Sequence, residues 1–405
     1  GSPKSVGQHA CGYLTVPKHD QLGNELTIFN LLPVRLDGDT YVSMWQGGEV
    51  EDLGMVKLDI LATKQLSKFA DILKLVKEEE GKILKLTDIP LDDEQVFAYF
   101  KNGWNQDVFQ FNSAGMTKFS KDLSPENIHD LVAMNALFRP ATLRMKMHEA
   151  YINRKNGTED WEPLWGCEEI LKSTYGIICY QEQSMKVVQV VGGFTEVESD
   201  DFRKVTAKKK MDQIDAFAEK FIEGAVDRGC PPEEAQAIWK LLVKFAEYSF
   251  NLSHAACYGI IGYVSQWLKV HYPLYFWKTA LEMVDDKKMN LLLEEMENIG
   301  HITISPPDIN KSYSKFVIKD GDIFWSMNRV KFVGDVAVAE ILRSRREEGM
   351  FFSMSEFLSR VDASKVNSRI VRNLIISGAF DEVCCIQEPK ERLGIIEEYL
   401  ELSGK

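Results

Sequence analysis

Hydrophobic and polar positions change their period twice along the chain. Over the first 60 residues they follow short β-type runs: 30–36 and 41–45 flank Asp37-Gly38, a strong hairpin signal, and a third apolar run spans 54–61. That third run carries one acid, Asp59, between Leu58 and Ile60, and an acid inside an apolar strand needs a partner. From Ala62 to about Gly300 the period becomes helical, as in Leu66, Phe69, Ala70, Leu73 and Val76. Ser124 before Pro125 predicts an N-cap with proline at the first helical position. Pro231-Pro232 and two glutamates predict another helix, with an apolar stripe of Ile238, Leu241, Leu242 and Phe245. After Ile304 the texture changes again. Pro306-Pro307 marks a boundary, 316–318 and 323–325 read as a hairpin around Asp320-Gly321, and helical units 335–348 and 364–377 end at Gly349 and Gly378. The chain is therefore expected to be α+β and mainly helical. Its expected parts are a small β-containing region (1–61), a large helical domain (62–304), and a hairpin with a helix-hairpin-helix-like module (305–405).

Composition narrows the class without deciding it. The 405 residues are 45% hydrophobic, 27% charged and 11% aromatic, enough for well-buried cores. No stretch approaches the ~20 apolar residues of a membrane helix, no signal peptide is evident, and Gly1-Ser2 reads as a tag remnant. Cytoplasmic location with no membrane partner is the expectation. The seven cysteines are scattered without a C-x-x-C pair, which fits reduced thiols better than a zinc site. A net charge of -13 argues against a uniformly basic nucleic-acid coat. It leaves room for an enzyme whose cations line one channel.

Four segments carry candidate chemistry. In residues 54–61, strand alternation puts Lys57 and Asp59 side by side, which suits a site holding a divalent metal and a phosphate. A buried ion pair would explain them equally. Arg139-Pro140 and the cations of 151–157 could serve phosphates through the planar guanidinium fork, or simply face solvent. Thr174-Tyr175-Gly176 runs on to Tyr180-Gln181-Glu182-Gln183, and then to Arg203-Lys204 and Lys208-Lys209-Lys210, a local basic patch on an acidic protein. Finally, Asn251-Leu252-Ser253-His254 runs on to Ala255-Ala256-Cys257-Tyr258, and the small residues flanking His254 and Tyr258 would let a flat ligand approach. A core histidine is the plainer alternative. No P-loop or G-x-S-x-G is present.

Taken together and in order, these segments resemble the C-family of replicative DNA polymerases, the alpha subunits of bacterial DNA polymerase III. The resemblance also rests on His9-Ala10-Cys11-Gly12, Val108-Phe109-Gln110-Phe111, Trp267-Leu268-Lys269 to Pro273, Pro306-Pro307-Asp308-Ile309-Asn310 and Ser377-Gly378-Ala379-Phe380-Asp381. It implies a distal palm and fingers that add deoxynucleotides to a primer by a two-metal mechanism. Asp59 would be the third metal-binding carboxylate and Lys57 would face the triphosphate. Arg139, Arg203, Lys204, Asn251, Ser253 and His254 would handle the nucleotide, and Lys208, Lys209 and Lys210 the DNA.

The implied cofactor is Mg²⁺, in a site completed by residues outside this chain. The implied partners are primer-template DNA, deoxynucleoside triphosphates and the N-terminal polymerase portion. Departures accompany the matches. The family's P-D-x-D-x-D-F strand is absent, and Asp37-Gly38-Asp39 lies in a turn and does not replace it. Ala141-Thr142 replaces glycine-proline, Asn112 replaces a glutamate, and Phe332 holds the first glycine position of an h-x-G-h-G hairpin. No clamp-binding segment of the Q-x-x-L-F kind is visible. On this reading the chain alone should not polymerise DNA. The competing reading is a non-catalytic DNA- or replisome-binding module that kept the fold.

Overall fold

A computed structural model describes residues 8, 11–20, 22–60, 63–207, 211–246, 248–300 and 302–402. It divides into two units, Gly1–Lys68 and Phe69–Lys405.

In the first unit, strands β1 (Gly12–Thr15), β2 (Val34–Asp37), β3 (Thr40–Ser43) and β4 (Val56–Asp59) form two separate antiparallel pairs, β1 with β4 and β2 with β3. Asp37 lies opposite Thr40, so Gly38 and Asp39 make the turn, and Gly38 supplies the positive φ of 61° that it needs. Short helices Ile28–Leu31 and Gly47–Asp52 lie among the strands, the first taking the start of the run expected from residue 30. The core is small: Leu32, Val50 and Met55. Val56, Leu58 and Ile60 are exposed, which corrects the expectation of a buried third strand. The Asp59 side chain is likewise 58% exposed, so it is no buried ion-pair member.

The stripe expected from Leu66 to Val76 forms the helix Lys64–Glu80, which buries Phe69, Ile72 and Val76 while Leu66 stays exposed. The second unit is organised around the 20-residue helix Leu252–His271, packed on Ile128–Leu137 and Glu94–Asn102. Two glycines permit that closeness. A Cβ on Gly259 would come within 3.0 Å of Val132, and one on Gly262 within 2.4 Å of the Phe111 ring. Ala255 and Gly259 are therefore small for helix packing, not for a ligand as the sequence suggested.

The far end of the helix is locked. Lys269, at 0% exposure, donates from Nζ to the carbonyls of Trp104 (3.0 Å) and Gln106 (2.6 Å) and to Glu295 Oε1 (2.6 Å). Gln266 Nε2 donates to Trp104 as well (3.0 Å), and His271 Nε2 meets Asp93 Oδ2 at 2.6 Å. Ser124 is not an N-cap. It closes the helix Ala114–Leu123 in the left-handed region (φ 50°), and Asn127 caps Ile128–Leu137 by accepting from Asp130 N.

Helices Gln181–Val190, Glu196–Ala207, Met211–Asp227 and Pro232–Ala246 gather on a second core that includes Phe202, Phe221 and Trp239. Where this lobe meets the start of the central helix, Tyr180 and Phe250 form a parallel bridge. There Gln181 N donates to Phe250 O (2.9 Å) and Phe250 N to Cys179 O (3.0 Å).

A third core belongs to the C-terminal module. Its sheet orders β5 (Ile304–Ser305), β7 (Asp322–Phe324) and β6 (Val317–Lys319), with β5 parallel to β7. The expected hairpin is thus joined by a third strand. Helices Asp335–Glu348, Met354–Arg360, Ser368–Ser377 and Arg392–Leu402 follow. The third starts later than residue 364 because the Asn367 side chain accepts from Arg369 N and Ile370 N, while Asp362 holds Ser364 in a turn. Among the described residues no helix is long and apolar enough to cross a membrane, and all seven cysteines are free.

Candidate functional site

The first turn of the central helix is held open to solvent by its own cap. Asn251 Oδ1 accepts from His254 N (2.8 Å), and Asn251 Nδ2 donates to Glu182 Oε1 (3.1 Å). Glu182 Oε2 accepts from Leu252 N (2.8 Å), a carboxylate placed where the helix dipole favours negative charge. Asn251, Ser253 and His254 are all exposed. His254 is therefore no core histidine. Its ring stacks on Tyr258 at 4.2 Å and meets the Phe250 edge at 5.2 Å, and Tyr258 in turn packs against Phe109 at 5.2 Å. The result is an aromatic ledge with a polar rim.

The Tyr180-Gln181-Glu182-Gln183 segment explains how the ledge is placed. Gln183 Oε1 accepts from Cys179 N and Tyr180 N, and its Nε2 donates to Thr174 Oγ1 (2.8 Å) and Ile170 O (3.2 Å). One amide thus fastens the Thr174-Tyr175-Gly176 turn to the helix that carries Glu182. Arg139 lies beside it, with Nε on Ala136 O (2.8 Å), Nη2 on Tyr248 O (2.7 Å), and its guanidinium 4.4 Å from the Phe250 ring centroid. Burial lowers its pKa. Arg154 and Lys155 are committed within the chain, to Glu159 and Tyr175 O and to Asp130 respectively.

Arg203 and Lys204 lie on Glu196–Ala207, which packs on Gln181–Val190, the helix whose first turn supplies Glu182. Both are matched by acids on their own helix. Asp200 accepts from Arg203 (2.7 Å) and pairs with Lys204 (2.8 Å), and Asp201 stands 3.5 Å from Lys204. The hydrogen bond from Lys204, then that from Arg203, holds the Asp200 carboxyl below its ordinary value. An i,i+3 and i,i+4 pairing of this kind is readable from sequence, yet Asp200 was missed there. Glu182 was quoted as part of a motif, but its link to Leu252 spans 70 residues and leaves no local signal. Lys208, Lys209 and Lys210 lie outside the described residues.

On β4, Lys57 Nζ is 3.1 Å from Asp59 Oδ1, on one face as alternation requires, and the Asp59 side chain is 58% exposed. An exposed carboxylate of this kind fits as one ligand of a hard cation. Among the described residues no group of three or more His, Cys, Asp or Glu is placed to hold a metal.

In the C-terminal module, Val330-Lys331-Phe332-Val333-Gly334 forms the hairpin before Asp335–Glu348. Phe332 takes φ 68°, the left-handed conformation a glycine adopts freely, at a cost of about 1 kcal/mol or more. Its ring is 47% exposed and carries the Arg369 guanidinium 3.4 Å from its centroid.

The chain is similar to known proteins along most of its length. The family model of the bacterial DNA polymerase III alpha subunit finger domain matches residues 65–229, and that of the helix-hairpin-helix motif matches 301–389. The chain is 36% identical over 386 residues to DNA polymerase III subunit alpha of Aquifex aeolicus (strain VF5), covering 94% of this chain and 32% of the relative. The protein of the same name from Vibrio cholerae is 35% identical over 396 residues, covering 95% and 34%. That of Bacillus subtilis (strain 168) is 34% identical over 386 residues, covering 94% and 34%. The chain spans about a third of the length of the curated relatives it matches.

Proposed function

We propose that this chain, which belongs to the bacterial DNA polymerase III alpha-subunit family through its finger domain and helix-hairpin-helix motif, is the nucleotide-handling part of a DNA-directed DNA polymerase in cytoplasmic replication. Residues 1–61 act as distal palm, 62–304 as fingers, and 305–405 as a DNA-contacting module. The observation that carries the reading is the exposed ledge of Asn251, Ser253 and His254. It stands at the start of a buried, locked helix and has an aromatic ring within stacking distance of the imidazole.

A deoxynucleoside triphosphate would lay its sugar and base along His254 and offer its phosphates to cations. Arg203 and Lys204 exchange Asp200 for phosphate oxygens, a trade of one anion for a more highly charged one. Arg139, with two donors already engaged, backs the ledge through Phe250. Lys208, Lys209 and Lys210 track the primer-template backbone. Asp59 supplies one carboxylate and Lys57 an ammonium toward the triphosphate. Mg²⁺, when bound by Asp59 and further carboxylates of the N-terminal polymerase portion, would acidify the primer hydroxyl and steady the phosphate oxygens. The uncovered apolar face of Val56, Leu58 and Ile60 supports a further segment packing there.

Equilibrium binding of deoxy- and ribonucleoside triphosphates to the chain tests this reading. Preference for the deoxy form, weakened in His254→Ala with an unchanged melting temperature, is expected. Equal, weak binding of both sugars by the original chain would favour a non-catalytic DNA- or replisome-binding module.

A further inference from the structure

The hairpin of the C-terminal module departs from its h-x-G-h-G motif at one position, Phe332. In an h-x-G-h-G hairpin the glycines leave backbone N–H groups bare for a phosphate. Here Phe332 keeps the left-handed backbone that a glycine adopts freely but adds a half-exposed ring to the hairpin. The first-turn carboxylate of Asp335, next after Gly334, adds negative charge where the phosphate would arrive. Backbone capture is thus opposed by sterics and by charge.

The nearby cations divide into two groups. Arg329 is spent on Asp286 and on the carbonyls of Glu282 and Val284, Arg345 on the carbonyls of Ile309 and Ser312, and Arg360 on Glu356 and main-chain carbonyls. Arg369 and Lys331 have no carboxylate partner among the described residues, and both are drawn to the Phe332 ring. The Arg369 Cζ lies 3.4 Å and the Lys331 Nζ 5.2 Å from its centroid. A guanidinium lying on a ring keeps its N–H edges free, and those edges match two phosphate oxygens.

We propose that Phe332, Arg369 and Lys331 form a side-chain clasp for a phosphodiester of duplex DNA, replacing the backbone nest of the ordinary hairpin. Phe332 is the platform. It fixes the plane of Arg369, which takes two oxygens of one phosphate, while Lys331 supplies a second, mobile charge. The inference rests on the DNA-handling reading given above, and it reverses what the motif predicts for one substitution. If the nest mattered, restoring glycine at 332 would improve binding; with a clasp it weakens binding.

The test is anisotropy of a labelled blunt-ended duplex titrated with the 405-residue chain at a series of salt concentrations. Arg369→Ala and Lys331→Ala should each lower the slope of log affinity against log salt by about one. Phe332→Gly should weaken binding, and Arg369→Lys should restore only part of what Arg369→Ala loses. All three positions are solvent-exposed, so the four variants spare the core, and Phe332→Gly relieves a left-handed residue; folding is checked by melting and expected to hold. Unchanged slopes in Arg369→Ala, or tighter binding by Phe332→Gly, would overturn the clasp while leaving the DNA-handling reading intact. No duplex binding by the original chain would overturn both.

Discussion

The two ends of the helix Leu252–His271 obey opposite rules. At its C-terminal end Lys269 is sealed from water and has three acceptors, with the Trp277 ring 4.8 Å away. At its N-terminal end Asn251, Ser253 and His254 are exposed, and the Asn251 and Glu182 side chains cap the main-chain N–H groups of His254 and Leu252. One end fixes where the helix sits; the other uses that fixed position to present a ledge. A rigid element with a locked base suits precise placement of a ligand at its tip.

The comparison breaks first, and hardest, at the locked end. Lys269→Met leaves Glu295 buried without its cation and should cost about 3–5 kcal/mol, read as a large fall in melting temperature. Removing both charges, Lys269→Met with Glu295→Met, should recover part of the loss. If the single variant melts like the original, the locked end is not what holds the helix.

A second locked point lies in the C-terminal module and can be read by acid. Glu340 accepts from Arg343 (2.6 Å), Lys365 (3.1 Å) and Asp362 N (3.2 Å), and the Arg343 bond above all brings its pKa from an ordinary 4.5 to about 2. A depressed carboxyl stabilises the fold above its unfolded value and loses that contribution as pH falls through the folded one. Stability of the module should therefore fall between about pH 4.5 and 2, and Glu340→Gln should flatten that limb. An unaltered acid limb in the variant would remove Glu340 from the account.

At the open end the effects should be smaller and of a different kind. Glu182→Gln weakens a charged hydrogen bond to Leu252 N and should cost about 1 kcal/mol. It should also loosen triphosphate binding, because the cap sets the ledge. His254→Ala should move stability by less than about 0.5 kcal/mol, as exposed substitutions do, yet change the sugar preference. A melting temperature lowered by several degrees would return His254 to the role of a packing residue.

Much of this contrast was legible in the sequence, but unevenly. Helical periodicity located Lys64–Glu80, Pro232–Ala246 and Asp335–Glu348, because a buried stripe repeats within one element. The hairpin of β2 and β3 followed from its Asp-Gly turn. The apolar run around Asp59 misled, since alternation tells which residues share a face but not whether that face is covered. Ser124 misled because serine before proline favours an N-cap, whereas the next helix is capped three residues later by Asn127, itself a favoured cap. The candidate residues Asn251 and His254 stood out as a cluster, whereas Glu182, Asp200 and Arg369 act through partners met only after folding, or through a pairing that resembles ordinary helix-surface charge. That Lys269 is locked and His254 open could not be read from the period alone, because both lie on one apolar helix.

The central claim is that this chain supplies one metal-binding carboxylate and the nucleotide ledge to a polymerase. Primer extension tests it most directly, using the chain combined with a polypeptide that carries the P-D-x-D-x-D-F strand, with Mg²⁺ and deoxynucleoside triphosphates. Template-directed extension is expected from the combination and not from the chain alone. Asp59→Asn should abolish extension while leaving duplex binding unchanged, since one carboxylate fewer cannot hold the ions in place. Extension that proceeds undiminished with Asp59→Asn would contradict the account.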